Sequence, residues 1–164
     1  MISSQIDSAT FRHVLGHYPT GVCIVTAMDS ERPEGMAIGS FTSVSLDPPL
    51  IAFLPDKKST SWPGIERAKR FCVNVLRDDQ RDLCKQFAVS GGNKFAGVSY
   101  RNSVNGSPIL DGVLAWIDCD LHSVYEAGDH YIVLGLVREL EAGLPGAPLL
   151  FFRGTYGAFA ELNQ

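Results

Sequence analysis

The 164-residue chain has little positive charge, no close pair of cysteines and none of the short motifs that announce a nucleotide or metal site. No two of its 16 glycines stand two apart, so the G-x-G-x-x-G fingerprint of a Rossmann dinucleotide site is missing. The G-x-x-x-x-G-K-[ST] phosphate loop is missing as well, and H-E-x-x-H and G-x-S-x-G give no support to a zinc peptidase or a serine hydrolase. With 14 Lys+Arg against 18 Asp+Glu, the formal net charge is −4. Such a chain lacks the basic field of a phosphate-backbone binder, so nucleic acid is not an expected partner. The longest apolar runs, such as Leu149–Phe152, fall far short of the ~20 residues of a membrane span, so no membrane is expected. Residues Met1 to Asp7 have neither a basic n-region nor an apolar h-region, and no leader is expected. Cys23, Cys72, Cys84 and Cys119 are far apart and cannot be read as a structural zinc site. Three of them, Cys23, Cys72 and Cys119, lie in apolar or alternating stretches, where Cys packs as a small hydrophobe. All four read as reduced thiols of a cytoplasmic protein. His13 and His17 have helical i, i+4 spacing, but no carboxylate or thiol completes a site beside them, so no metal is expected.

What the chain does have is enough apolar surface for a core. Hydrophobic residues make up 45% and charged residues 20%, which excludes intrinsic disorder. The length fits a single domain over residues 1–164. Ser8 to Tyr18 places Phe11, Val14, Leu15 and Tyr18 on one helical face, ended by Pro19. The period then changes to two. Residues 22–27, 50–54, 71–76, 113–125, 130–140 and 149–156 read as strands, with Gly128-Asp129 as a hairpin turn. A helix with Pro63 in its first turn follows Ser59-Thr60-Ser61. Another begins near Asp78 or Asp79 and carries Leu83 and Phe87 on one side. Residues 91–108, rich in Gly, Asn and Ser, read as a long excursion. Many short strands with few helices suggest a mostly-β barrel, which removes exposed strand edges.

Three stretches carry chemistry. Gly35 to Leu50 puts hydroxyls at Ser40, Thr42, Ser43 and Ser45, and Gly35 and Gly39 would let backbone approach a flat ligand. An ordinary Ser/Thr strand with an Asp-Pro-Pro turn accounts for the same composition. Asp56-Lys57-Lys58-Ser59-Thr60-Ser61 leads into a helix start, where free N–H groups, two lysines and three hydroxyls suit a phosphate; simple capping by Ser59 or Ser61 is the alternative. Gly128-Asp129-His130 sets a histidine at a strand turn, either as a fold residue or projecting over a cofactor.

In this order the pieces resemble the short-chain NAD(P)H:flavin reductases, the reductase components of two-component flavin-dependent monooxygenases. The residues that carry the resemblance are Pro19-Thr20-Gly21-Val22, Gly35-Met36, Ser40 to Leu50, Phe71 to Leu76, Lys94-Phe95-Ala96-Gly97, Ala127 to His130 and Pro148 to Tyr156. The fold implied is an FMN-binding split β-barrel, Greek-key-like, with a few peripheral helices. The activity implied is hydride transfer from NADH (or NADPH) to N5 of FMN (or FAD). The reduced flavin would diffuse to a separate monooxygenase, such as an aromatic or steroid-ring hydroxylase. By the same resemblance, Ala37, Ile38, Gly39, Ser40, Ser43, Val44 and Ser45 would line the isoalloxazine and ribityl chain. Lys58 and Ser59 would hold the flavin phosphate, and Phe87 would approach the flavin tail. Arg153, Gly154 and Tyr156 would meet the nicotinamide nucleotide together with His130, the one candidate catalytic residue, which orients rather than transfers a proton. Many relatives carry a side-chain amide or hydroxyl where this chain has Ile38-Gly39, so the partner of flavin N5 is lost or comes from backbone. A homodimer closing the cleft is also implied. Two other readings keep their place: a flavin-dependent reductase of another acceptor, for example a corrinoid, and a non-catalytic FMN-binding module.

Overall fold

A computed structural model describes residues 6–162; residues 1–5, which carry most of the opening read for a leader, lie outside that range. A helix α1 (Ser8–Leu15) and a short strand β1 (Thr20–Gly21) precede the hairpin β2 (Cys23–Asp29) and β3 (Arg32–Ile38). Next come β4 (Thr42–Leu46), β5 (Pro49–Phe53), helix α2 (Trp62–Ala68) and β6 (Arg70–Val75). A 3-10 turn at Asp78–Gln80 leads into α3 (Arg81–Ala88), and β7 (Tyr100–Asn102) and β8 (Pro108–Leu110) follow. The long hairpin β9 (Ala115–Ala127) and β10 (His130–Ala142) and the small one β11 (Leu149–Phe152) and β12 (Thr155–Ala158) come last.

Seven strands pair antiparallel in the order β3-β2-β6-β9-β10-β5-β4. The two edge strands, β3 and β4, are consecutive in the chain, joined only by residues 39–41. A flat sheet would set them about 29 Å apart, six spacings of about 4.8 Å, while the four Cα steps from Ile38 to Thr42 reach at most about 14 Å. The sheet must therefore curl until its edges meet. They meet without pairing: the link is Ser40, whose Oγ accepts a hydrogen bond from the Leu54 N–H at 2.9 Å. The result is a split β-barrel, the fold class the resemblance implies.

The central strands are buried on both faces, and the period-two alternation divides them between two cores. Cys23, Val25 and Ala27 of β2 face Phe53, Phe71, Val73 and Val133 together with Trp62 and Ile65 of α2. Val22 and Ile24 face the other way, onto Cys72, Leu76, Phe87, Leu110 and Trp116. Asn74 of β6 is fully buried and pins β8 to this second core. Its Oδ1 accepts from the Leu110 N–H at 2.8 Å, and its Nδ2 donates to the Thr26 hydroxyl at 3.0 Å and the Ile24 carbonyl at 3.2 Å.

Several expectations are corrected. The terminal run 149–156 is two strands, because Arg153 (φ 50°) and Gly154 (φ 81°) turn the chain between them. Residues 91–108 are not a bare excursion; Tyr100–Asn102 and the start of β8 pair within and beside it. The helix at 8–18 stops at Leu15, where Gly16 caps it through the Arg12 carbonyl at 2.9 Å. Its apolar face is not core: Phe11, Val14 and Leu15 are each more than half exposed. The four cysteines are free and buried, as read. Burial pushes the thiols of Cys23 and Cys119 up to about 12. Among the described residues no group of His, Cys, Asp and Glu could hold a metal, and no helix is long and apolar enough to cross a membrane.

Candidate functional site

Two adjoining cavities lie along the split, on the outer edge of β3. The first, about 220 Å³, runs between Met36 and Ala37, the loop residues Asp56, Lys58, Ser59 and Thr60, and the end of α3 at Phe87 and Ala88. The second, about 190 Å³, continues past Ala37, Ile38 and Gly39 to Thr20, Phe151 and Tyr156. Ala37 and Ala88 border both, so the two form one slot. Its size falls within the ~300–1,000 Å³ of small-molecule and cofactor sites. A third cavity, about 380 Å³, opens beyond it at Tyr18, Thr20, Gly39 and Ser40.

Each end of the slot has its own chemistry. β3 is an edge strand, and the Gly35 carbonyl points outward, where Lys94 Nζ donates to it at 3.1 Å. Along a strand these groups alternate sides, so Ala37, two residues on, presents its N–H and C=O to the same open edge. The side chain of Ile38 points the other way into the core, so at this point the slot is offered backbone and not a side-chain amide.

The loop end is cationic. Lys57 is committed elsewhere, paired with Glu126 at 3.0 Å and lying over the Tyr131 ring at 5.3 Å. Lys58 makes no ion pair within 4.0 Å among the described residues. Ser59 Oγ accepts from the N–H groups of Ser61 (3.3 Å) and Trp62 (3.2 Å), which is the capping alternative realised. A hydroxyl that accepts twice still has its O–H to donate, which is what an anion requires. Both readings of Ser59 therefore hold together.

At the far end the Tyr156 hydroxyl meets Cys84 Sγ at 3.5 Å. That contact, with burial, pushes the phenol up to about 12. It stays protonated at neutral pH and does not act as a base.

Of the residues singled out in the sequence, Ala37, Ile38, Gly39, Lys58, Ser59 and Tyr156 border the slot, and Ser40 borders the adjoining third cavity. Phe87 also borders it but is 1% exposed, packed at 5.0 Å against Phe95 in the second core. It is foremost a core residue. Gly35 is small for the same reason: a Cβ there would sit 2.5 Å from the Phe87 ring. Gly39 is small because its Cβ would sit 2.9 Å from the Thr20 hydroxyl. Packing thus accounts for Gly35, while Gly39 stands on the slot wall beside Thr20.

Other predicted residues stand outside the slot. Ser43, Val44 and Ser45 lie on β4, the edge that meets β3 across the split, and are not among the residues that border these cavities. Arg153 and Gly154 form the β11–β12 turn, with the Arg153 N–H donating to the Gly16 carbonyl at 3.0 Å. His130 begins β10 after the turn at Gly128, whose φ of 62° suits the tight hairpin. It bridges by backbone to Asp56, which borders the slot, so it stands one residue behind the wall. Its Nδ1 lies 2.8 Å from Asp129 Oδ1, a contact that holds the Asp129 carboxyl below the ordinary range. Thr20, Thr60, Ala88 and Phe151 were missed. Thr20 and Phe151 had a signal in the Pro19-Thr20-Gly21-Val22 and Pro148 to Tyr156 pieces, and Thr60 in the helix-start loop; Ala88 had none.

Comparison with known proteins agrees with this geometry. Residues 15–160 match the model of the flavin reductase-like domain, and the chain belongs to that family. It is 64% identical over 163 residues to a flavin reductase of Pseudomonas putida, covering 99% of this chain and 96% of that one. It is 46% identical over 157 residues to the reductase subunit HsaB of a flavin-dependent monooxygenase of Mycobacterium tuberculosis, covering 94% and 84%. The NADH:FAD oxidoreductase SgcE6 of Streptomyces globisporus C-1027, solved with NAD and FAD fragments, superposes with a TM-score of 0.88 at 34% identity, covering 94% of this chain and 93% of that one.

Proposed function

We propose that the chain, acting as one flavin reductase-like domain, binds FMN or FAD in the slot along β3. There it reduces the flavin with NADH or NADPH and passes the product to a separate monooxygenase. The observation that carries this is one continuous slot with an outward strand edge at Ala37 and, at its end, Lys58, which has no ion-pair partner among the described residues, beside the donating hydroxyl of Ser59. These residues suit the group: the outward N–H and C=O of Ala37 match the mixed donor and acceptor rim of an isoalloxazine. The apolar walls at Ala88 and Phe151 match its faces, and Lys58 matches its phosphate. When bound, the flavin supplies the hydride-accepting nitrogen and the nicotinamide supplies the hydride.

The protein's own work is positional. Ala37, Ile38 and Gly39 fix the ring edge through backbone, Ser40 holds the split closed beside it, and Lys58 and Ser59 anchor the anionic tail. His130, paired with Asp129 and bridged to Asp56 of the slot wall, is the residue this reading assigns to the nicotinamide nucleotide, for orientation and charge. Tyr156 closes the far end as a neutral phenol. None of these groups takes a proton from the substrate, and hydride transfer asks for none.

The chain works as a homodimer in this reading. The apolar face of α1, with Phe11, Val14 and Leu15 more than half exposed, is supported as the surface a second copy covers. A cytoplasmic location is supported by four unpaired, buried thiols.

Purified protein mixed with NADH and excess FMN or FAD should oxidise NADH only when flavin is present, and anaerobically should bleach the flavin. Absence of any flavin spectral change or quenching would overturn the reading. Tight flavin retention without NADH oxidation would replace it with a binding module. Turnover that delivers electrons only to a bound metal acceptor would replace the monooxygenase.

A further inference from the structure

Lys94, in the Lys94-Phe95-Ala96-Gly97 piece, is absent from every role assigned so far. Phe95 anchors the piece, packing on Phe87 at 5.0 Å and Tyr100 at 5.4 Å. The Gln86 side chain donates to the Lys94 carbonyl at 2.8 Å, so the lysine backbone is fixed. Its ammonium turns inward. It donates to the Gly35 carbonyl at 3.1 Å, the Ser61 hydroxyl at 3.0 Å and the Phe87 carbonyl at 3.2 Å. These acceptors belong to β3, to the start of α2 just after the Lys58-Ser59 loop, and to the last turn of α3. β3, the loop that runs into Ser61 and the end of α3 enclose the loop end of the slot, and Lys94 itself borders it there.

We infer that Lys94 is a positioning residue for flavin binding: one ammonium ties the three walls of the slot together and sets their spacing. This rests on the flavin-binding reading above. An ammonium has three N–H donors, and all three are used by the protein, so Lys94 does not act by hydrogen-bonding a phosphate. Burial holds it below the ordinary lysine range, and Glu34 is the charge that opposes this shift. A desolvated cation with three satisfied acceptors has one stable placement, and so do the segments bound to it.

The test is Lys94→Met in the full chain, titrated by fluorescence quenching with FMN and with riboflavin, which lacks the phosphate. Positioning acts on the whole slot, so both ligands should bind about tenfold more weakly or worse. The turnover rate at saturating FMN should stay within about twofold, as befits a loss of ligand placement before reaction. Ser61→Ala is the gentler variant, since Ser61 makes no side-chain cap to α2 and its hydroxyl serves Lys94. It should weaken both flavins about threefold. Weakening of FMN alone would show that Lys94 acts as a remote charge on the phosphate and overturns the positioning role. Unchanged affinities in the variant that folds would overturn it too. If the unaltered chain binds neither flavin, the function itself is wrong; if it binds both and the variants match it, only the role of Lys94 fails.

Discussion

Gly35→Ala separates two explanations of a glycine beside a ligand slot. A Cβ at position 35 would lie 2.5 Å from Phe87 Cε1, 2.7 Å from Phe87 Cδ1 and 3.3 Å from Phe95 Cε2. These atoms are rings in a closed core, with Phe87 at 1% exposure, so they cannot swing into solvent. Overpacking of this kind costs typically about 1–3 kcal/mol. For a chain of this length 1 kcal/mol moves the midpoint by roughly 2–4 °C, so Tm should fall by roughly 2–12 °C. The ring that yields is on the last turn of α3, beside Ala88, so flavin affinity should fall with stability. Phe87→Leu vacates the contested space. The double variant should be less destabilised than the two single losses together, with a coupling of about 0.5–3 kcal/mol. Differential scanning calorimetry of the four proteins, with flavin titrations alongside, reads out all of this. If Gly35→Ala leaves Tm unchanged and weakens flavin alone, the glycine faces the ligand and the packing argument is refuted.

Lys58→Met should weaken FMN by about three- to tenfold and leave riboflavin unaffected, because the lost interaction is with the phosphate; equal losses for both would refute a phosphate contact. His130→Ala should retain flavin binding while raising the KM for NADH or slowing the hydride step, and unchanged steady-state and single-turnover kinetics would refute its role. Asp118 on β9 is 1% exposed with Oδ1 unpartnered, and burial raises its carboxyl above the ordinary 3.8. A raised carboxyl adds stability below its unfolded pKa and loses it as pH rises through the folded one. Asp118→Asn should therefore melt higher than the parent at pH 7, with the advantage shrinking toward pH 4; a constant deficit at both would refute the sign.

The parts of this fold that could be read from sequence are those where pattern and burial coincide. The runs 71–76 and 130–140 alternate or are wholly apolar because their strands sit in the middle of the sheet, and they appear where expected. β3 was illegible because Arg32-Pro33-Glu34-Gly35 has turn composition. An edge strand tolerates Pro33, whose missing N–H the outer edge does not need, and Gly35 is demanded by a ring 52 positions later in the chain. The face of α1 looked like core because periodicity reports amphipathicity and not what covers it. At the site, the Lys58-Ser59 pair was readable from the local helix-start signal. Which of Lys57 and Lys58 is free was not, since that depends on Glu126 across the sheet. As flavin-lining residues, Ser43, Val44 and Ser45 came from the resemblance alone, and β4 carries them to the strand that meets β3 across the split, outside the slot's own lining.

The burial of all four thiols has a chemical consequence for the proposed release of dihydroflavin into aerated water. Autoxidation of that product generates hydrogen peroxide beside the enzyme, and peroxide attacks thiolates, not thiols. With Cys23 and Cys119 pushed up to about 12, these sulfurs hold their protons throughout the physiological range. Burial thereby keeps the reactive thiolate form scarce at Cys23 and Cys119.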